Sequence, residues 1–209
     1  MVGRIIISDA CVAEGLDWLG AVEPRFAQAR GLTGLPPLRL RDDGFGALMG
    51  AIVSQQVSVK AADAIWGRLE RSGFVEPEGL LAASDDDLRA CGLSRQKVRY
   101  GRALAAAGID FEALRGAPTD EVIATLVALP GIGFWTAEIY AMFSLGRADV
   151  FAPGDLALQE AMRRLFGLTA RPSERAARAM AVAWSPWRSV AARLLWAYYR
   201  VEADREGIR

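Results

Sequence analysis

The chain has 209 residues, 52% of them hydrophobic and 24% charged, and its 25 Lys and Arg balance its 25 Asp and Glu. This is enough apolar material for one well-buried domain or two small lobes, and it excludes an intrinsically disordered chain. With no histidine and only Cys11 and Cys91, serine–histidine and cysteine–histidine catalysis, four-thiolate metal sites and iron–sulfur clusters are excluded, so a general base is first of all a carboxylate, with lysine or tyrosine as weaker options.

In chain order, the first feature is Ile5-Ile6-Ile7, a short strand-like stretch or an extended arm. Apolar residues at three- and four-residue spacing then predict helices over Asp9 to Leu19, Phe45 to Gln56, Val59 to Arg71, Ser84 to Cys91 and Ser94 to Ala107. The same spacing continues over Asp120 to Leu129, Phe134 to Leu145, Leu156 to Phe166, Ser173 to Ala183 and Ser189 to Glu202. Ser84, Ser94, Thr119, Asp155 and Ser173 stand where N-caps belong. Gly73, Gly92, Gly108, Gly146 and Gly167 fall just past helix ends, where a left-handed residue closes the last turn. Leu35-Pro36-Pro37-Leu38 is the clearest break. The fold class is all-α with short connections, and no repeat or low-complexity tract interrupts it. No apolar run is long enough to span a bilayer, and no signal-peptide pattern opens the chain, so the expected location is the cytoplasm.

The stretch from Leu129 through Pro130, Gly131, Ile132, Gly133, Phe134, Trp135 and Thr136 to Ala137 is the most informative. A helical run stops at Pro130, turns on two glycines and restarts. The N–H groups at the start of the second helix point outward, where the helix dipole also favours an anion. Such a turn seats a phosphate. Asp155 follows, after Pro153 and Gly154, at the start of the next helix. The combination reads as a grip on a phosphodiester backbone with acid–base or ionic chemistry beside it. Zero net charge is compatible with this, because residues 156–209 hold ten Arg against five acids, and a locally basic face suffices for phosphate contacts.

Five segments together resemble the helix-hairpin-helix superfamily of DNA glycosylases, and within it the 3-methyladenine DNA glycosylase II family. They are Pro36 to Ser58, Gly92 to Lys97, Leu129 to Ala137, Asp149 to Asp155 and Trp184 to Trp196. The resemblance spans roughly residues 20 to 200. It implies a single catalytic domain of two helical lobes with a cleft between them. One lobe, about 41–150, carries the hairpin (119–146), and the other combines about 1–40 with 151–209. It also implies a short form without the extra N-terminal domain of longer members.

The resemblance implies a monofunctional base-excision repair enzyme that binds duplex DNA as a monomer near the nucleoid. It would flip an alkylated purine out of the helix, hydrolyse the N-glycosidic bond without a cofactor, and leave an abasic site. Asp155 takes the catalytic position, stabilising positive charge on the sugar; Asp149, closer to the hairpin, does not. Trp135 stands where strand-cleaving members carry a Schiff-base lysine. With Trp196 and Tyr140 it is expected to line the base pocket, where stacking and cation–π attraction suit an electron-poor base. Trp184, Trp187, Tyr198 and Tyr199 compete for that role. Gln55 and Gln56 match the segment that faces the minor groove and fills the gap left by the flipped base. Gly131, Gly133 and Thr136 would contact a phosphate, and the carbonyls of Leu129 and Ile132 a monovalent cation; no other metal is implied. Lys97 and Arg99 read as a solvated helix face, with contact to the DNA backbone as the alternative. Two family tyrosines are replaced by Ile139 and Leu156. That keeps open a glycosylase for deaminated or oxidised bases; a non-catalytic DNA-binding hairpin module is the more distant alternative.

Overall fold

The computed structural model describes residues 2–205. Thirteen α-helices and one 3-10 turn account for the secondary structure of the described residues, and the one β pairing there is an isolated bridge between Ile5 and Arg147. The chain divides into two compact units. One takes the residues up to Leu40 together with those from Ala141 onward; the other is Arg41–Tyr140.

The first unit holds α1 (Asp9–Val22), α2 (Pro24–Thr33), α11 (Leu156–Leu165), α12 (Glu174–Met180), the 3-10 turn Ala181–Trp184 and α13 (Arg188–Arg205). α13 is its axis. α1, α2 and α11 all pack on it, because the stretch from Ser189 to Leu195 is buried on every side. Such a helix is buried all round rather than on one stripe, and its two polar members, Ser189 and Arg193, are both hydrogen-bonded. Phe26 of α2 and Phe166 close over Trp184, with Phe26 edge-on at 5.1 Å and Phe166 stacked at 5.7 Å. The N-terminal arm is extended and is held by backbone bonds from Ile6 N–H to Gly146 and from Ala148 N–H to Arg4.

The second unit holds α3 (Phe45–Ser54), α4 (Val59–Arg71), α5 (Pro77–Ala82), α6 (Asp85–Ala90), α7 (Arg95–Ala106), α8 (Phe111–Gly116), α9 (Thr119–Val127) and the first part of α10 (Phe134–Phe143). α7 is central, with α3, α5 and α6 packed against it. Ser58, Ser84, Ser94 and Asp110 accept N–H bonds at the starts of α4, α6, α7 and α8. At Ser84 the bond is reciprocated by Asp87, a capping box.

All five glycines placed past helix ends by the sequence have positive φ. Thr119 differs from expectation. It is the first residue inside α9, and Pro118, with its fixed φ, occupies the cap without a side-chain bond. Three helices escape the periodicity. α2 buries only Phe26 and Ala29, and α5 and α8 are six-residue turns that bury one leucine each. Such short or thinly apolar segments show no repeat to detect.

The loop that leads to Asp155 is fixed by one buried serine. Ser189 Oγ shares its one proton between the carbonyls of Arg147 (2.5 Å) and Val150 (3.0 Å) and accepts from Val150 N–H. Ser189→Ala leaves buried backbone groups without partners. The expected cost is about 1–3 kcal/mol in chemical denaturation, with an unchanged denaturant slope.

Candidate active site

In the first unit Asp155 is the N-cap of α11. Its Oδ1 accepts from Leu158 N–H at 3.0 Å and from the Trp196 indole N–H at 3.2 Å. The first bond is ordinary helix capping. The second reaches 41 residues along the chain and aims the carboxylate. Behind it, Gln159 is buried one turn into α11 and donates to the Pro153 carbonyl at 2.7 Å. Trp196 rests against Phe143 with ring centroids 5.7 Å apart. Beneath Phe143 lies Arg193, its guanidinium carbon 4.6 Å from the ring centre. Leu156, next to Asp155, is exposed.

Asp149 is engaged elsewhere. Arg188 and Ser185 both donate to it. Burial works to raise its pKa, but the bonds and charge of Arg188 and Ser185 outweigh that and hold it below the usual carboxylate range. It is an ion-paired structural acid.

In the second unit the hairpin joins α9 to α10. Leu129 carbonyl accepts Ile132 N–H at 3.1 Å, and the helical ladder of α10 begins with Ala137 N–H to Gly133 at 3.0 Å. The amides of Gly133 and Phe134 therefore lie ahead of the ladder, at the positive end of the helix. Gly133 is exposed and Thr136 half-buried. Gly131 has φ +88°, and a Cβ there would stand 2.3 Å from the Tyr100 ring of α7. Only glycine fits that corner.

Gln55 and Gln56 have different surroundings. Gln55 donates from Nε2 to the Gly131 carbonyl at 2.8 Å, which ties the end of α3 to the hairpin. Gln56 is exposed, with a left-handed φ of 56° that projects it at the loop tip. Trp135, in the first turn of α10, is 48% exposed. Tyr140 is buried in the second unit, and its hydroxyl accepts Gly44 N–H at 2.9 Å. Burial pushes its pKa up. Ile139 beside it is half-buried.

Lys97 corrects a sequence expectation. It is not on a solvated face but 9% exposed, with Nζ donating to the Val53 carbonyl at 2.7 Å. Burial lowers its pKa. A cation at the C-terminal end of α3 completes the last turn of that helix. Its signal in the sequence is compositional, one of two lysines beside 23 arginines. Arg193 also escapes the sequence reading, although a charge in the apolar stretch from Val190 to Trp196 marks it.

Three pairs are thus brought together: Asp155 with Trp196, Gln55 with Gly131, and Lys97 with the end of α3. A model of the HhH-GPD superfamily of base excision DNA repair proteins matches residues 49–187. The chain is 31% identical over 165 residues to DNA-3-methyladenine glycosylase 1 of Schizosaccharomyces pombe, covering 75% of this chain and 72% of that one. Its backbone is similar to the crystal structure of a DNA-3-methyladenine glycosidase from Bacillus halodurans, with a TM-score of 0.83 at 36% identity over 91% of both chains. It is also similar to the S. pombe 3-methyladenine DNA glycosylase in complex with abasic DNA, with a TM-score of 0.75 at 29% identity over 88% of this chain and 95% of that one.

Gly131→Ala places a methyl group in the Tyr100 ring and is expected to destabilise the chain by about 1–3 kcal/mol. Combination with Tyr100→Ala removes the clash, so the double variant is expected to lose less than the sum of the singles, read by urea denaturation of all four proteins.

Proposed function

Because the chain belongs to the HhH-GPD superfamily of base excision DNA repair proteins, we propose that it is a monofunctional DNA glycosylase that hydrolyses the N-glycosidic bond of alkylated purines in duplex DNA. The observation that carries this reading is Asp155, held by one oxygen between the Leu158 amide and the Trp196 indole. The substrate class is supported by relatives named for 3-methyladenine excision over most of their length.

Breaking the bond between sugar and base builds positive charge on the deoxyribose. A carboxylate fixed before the reaction stabilises that charge without reorganising, and it orients a water for attack on the anomeric carbon. An alkylated purine that carries positive charge is already a good leaving group and stacks well on an electron-rich ring. Trp196, which donates to Asp155 within the first unit, is the ring assigned to that contact. Trp135 has no amine, so no Schiff base with the sugar forms, and the product is an abasic site.

The hairpin supplies grip. Amides at Gly131 and Gly133 and the Thr136 hydroxyl bind a strand phosphate. The carbonyls of Leu129 and Ile132 would hold a monovalent cation that adds charge there; the chemistry does not pass through it. Gln56, at the loop tip, enters the stack in place of the extruded nucleotide, while Gln55 holds that loop to the hairpin. Extrusion costs a few kcal/mol, least for a damaged base, and so contributes selectivity. The protein is assigned to the DNA-containing compartment as a monomer, and no described helix is long and apolar enough to cross a membrane.

Asp155→Asn tests the assignment cleanly, because asparagine caps a helix as well as aspartate and still accepts the indole bond. Binding to methylated duplex is expected to persist while single-turnover base release falls by about a hundredfold or more; full activity would refute the role. Trp196→Phe keeps a ring and removes the N–H. It is expected to lower the single-turnover rate by roughly tenfold with little change in duplex affinity, measured on oligonucleotides containing 3-methyladenine or 7-methylguanine. Release of hypoxanthine or an oxidised purine with no release of methylated bases would favour the deaminated- or oxidised-base reading kept open by Ile139 and Leu156.

A further inference from the structure

The extended arm of the first unit, residues 2–7, lies on the segment that leads from α10 towards Asp155. Ile6 N–H donates to the Gly146 carbonyl at 2.7 Å, and Ala148 N–H donates back to the Arg4 carbonyl at 3.0 Å. Gly146 has φ +66°, and a Cβ there would stand 2.8 Å from the Ile6 carbonyl oxygen. The two backbones can meet this closely only at a glycine. Ile6 is fully buried and seats the arm by its apolar side chain. Arg4 lies over the Trp187 ring at 4.6 Å and pairs with Glu14 of α1.

Arg147 stands between those two backbone bonds. Among the described residues it is the largest side chain that is fully buried. A guanidinium taken out of water is stable only where other groups take over its hydrogen bonds. The Val2 carbonyl of the arm is one of them, accepting from Arg147 Nη1 at 2.8 Å. Arm and arginine therefore support each other: the arm supplies an acceptor, and the arginine holds the arm down. The backbone of Arg147 is tied in turn to two helices. Its N–H donates to the carbonyl of Ala141 in α10 at 3.0 Å, and its own carbonyl accepts from Ser189 Oγ of α13. Ser189 N–H then donates to the Ala148 carbonyl at 2.9 Å.

The path from this anchor to Asp155 is fixed along its length. Phe151, Ala152 and Pro153 are buried, and Asp155 N–H donates to the Ala152 carbonyl at 3.0 Å. Ser189 and Trp196 lie two turns apart on the same face of α13. The helix that receives the loop at Ser189 thus also presents the indole that donates to Asp155. We propose that residues 2–7 form a strap, anchored by Arg147, that sets the Asp155 loop in register with α13, and that Arg147 is a positioning residue for base release. The proposal rests on the glycosylase reading and deepens it. A small displacement of the carboxylate relative to the indole costs rate. It leaves the hold on DNA in place, because the groups proposed to grip the strand, Gly131, Gly133, Thr136 and Gln56, belong to the second unit.

The test separates rate from grip. Single-turnover release of 3-methyladenine or 7-methylguanine is timed with enzyme in excess. Affinity is read by fluorescence anisotropy on a duplex containing a tetrahydrofuran abasic-site analogue. Arg147→Met keeps an apolar stem and removes the donors. It is expected to slow release by roughly tenfold, with affinity within about twofold of wild type. Phe26→Leu trims the buried ring packed on Trp184 and leaves the arm untouched. It is expected to lower the melting temperature while release stays at the wild-type rate. In a Trp196→Phe background, Arg147→Met is expected to slow release further by less than about threefold, because both changes act through one bond. Ile6→Ala loosens the arm from its own side and is expected to slow release as well; if Arg147→Met does not fold, it carries the same comparisons. A wild-type release rate in the strap variant, an equal loss of rate in Phe26→Leu, or losses that multiply in the double variant overturn the strap. Wild-type protein that releases no base fails the glycosylase reading, whereas active wild-type protein matched by its strap variants fails only the strap.

Discussion

The hydrogen bond from the Trp196 indole to Asp155 is the constraint on which the rest of the first unit depends. An N-cap aspartate is by itself a common structural device, and its carboxylate is normally content with one amide. Here the same oxygen also receives an indole N–H from a helix far along the chain. That second donor fixes the direction of the carboxylate, and everything behind it is built to keep the donor still. Phe143 supports the ring, Arg193 supports Phe143, and three backbone carbonyls hold Arg193. Ser189 and Gln159 fix the loop on the other side. In the proposed function, preorganisation of this kind would make a fixed negative charge effective against a developing cation, because no reorganisation remains to be done when the charge appears.

The legibility of the chain follows the length of its signals. Long amphipathic helices such as α4 and α7 are visible with near-correct ends, because many apolar residues repeat along them and a serine precedes each. α2 is not, since it rests on Phe26 and Ala29 alone and owes its start to Pro24 and the Glu23 side chain. The hairpin is legible because its two glycines and proline have few other uses. The capping role of Asp155 is legible from its place before a helix, whereas its proposed catalytic role is drawn from an order of motifs and not from its neighbours, which are those of any capping aspartate. The bond to Trp196 is not legible, because a contact across 41 residues leaves no periodic trace. Lys97 misleads for a related reason. A charge on a helix is usually solvated, and only the end of α3, brought over it by the fold, makes a buried ammonium useful.

The second unit shows how backbone groups can be recruited before any partner arrives. α7 faces the hairpin with Tyr100 and the end of α3 with Lys97, three residues apart on one face. Gln55 then joins α3 to the hairpin carbonyl at Gly131. The loop tip at Gln56 is thereby fixed relative to the amides of the turn by two side-chain bonds and one aromatic contact. In the proposed function this matters energetically. A loop already ordered gives up little entropy on entering a base stack, so more of the binding energy remains to offset extrusion.

Neutral net charge reflects pairing of acids with nearby donors inside each unit. Three acids of the second unit are engaged within it, Asp85 by Arg102, Asp43 by Arg115, Asp87 by Ser84. In the first unit Glu160 is drawn down to a pKa of about 2 by Arg163 and then Arg164, and Asp149 is held by Arg188. Many carboxylates are thus neutralised by a neighbouring guanidinium, and such short-range pairs have little field at a distance. Arg193, held by neutral carbonyls, is a positive charge that is fixed but not cancelled by a neighbouring acid. Attraction to a polyanion depends on where charge sits on the surface and not on its sum, so zero net charge does not bar a phosphate partner.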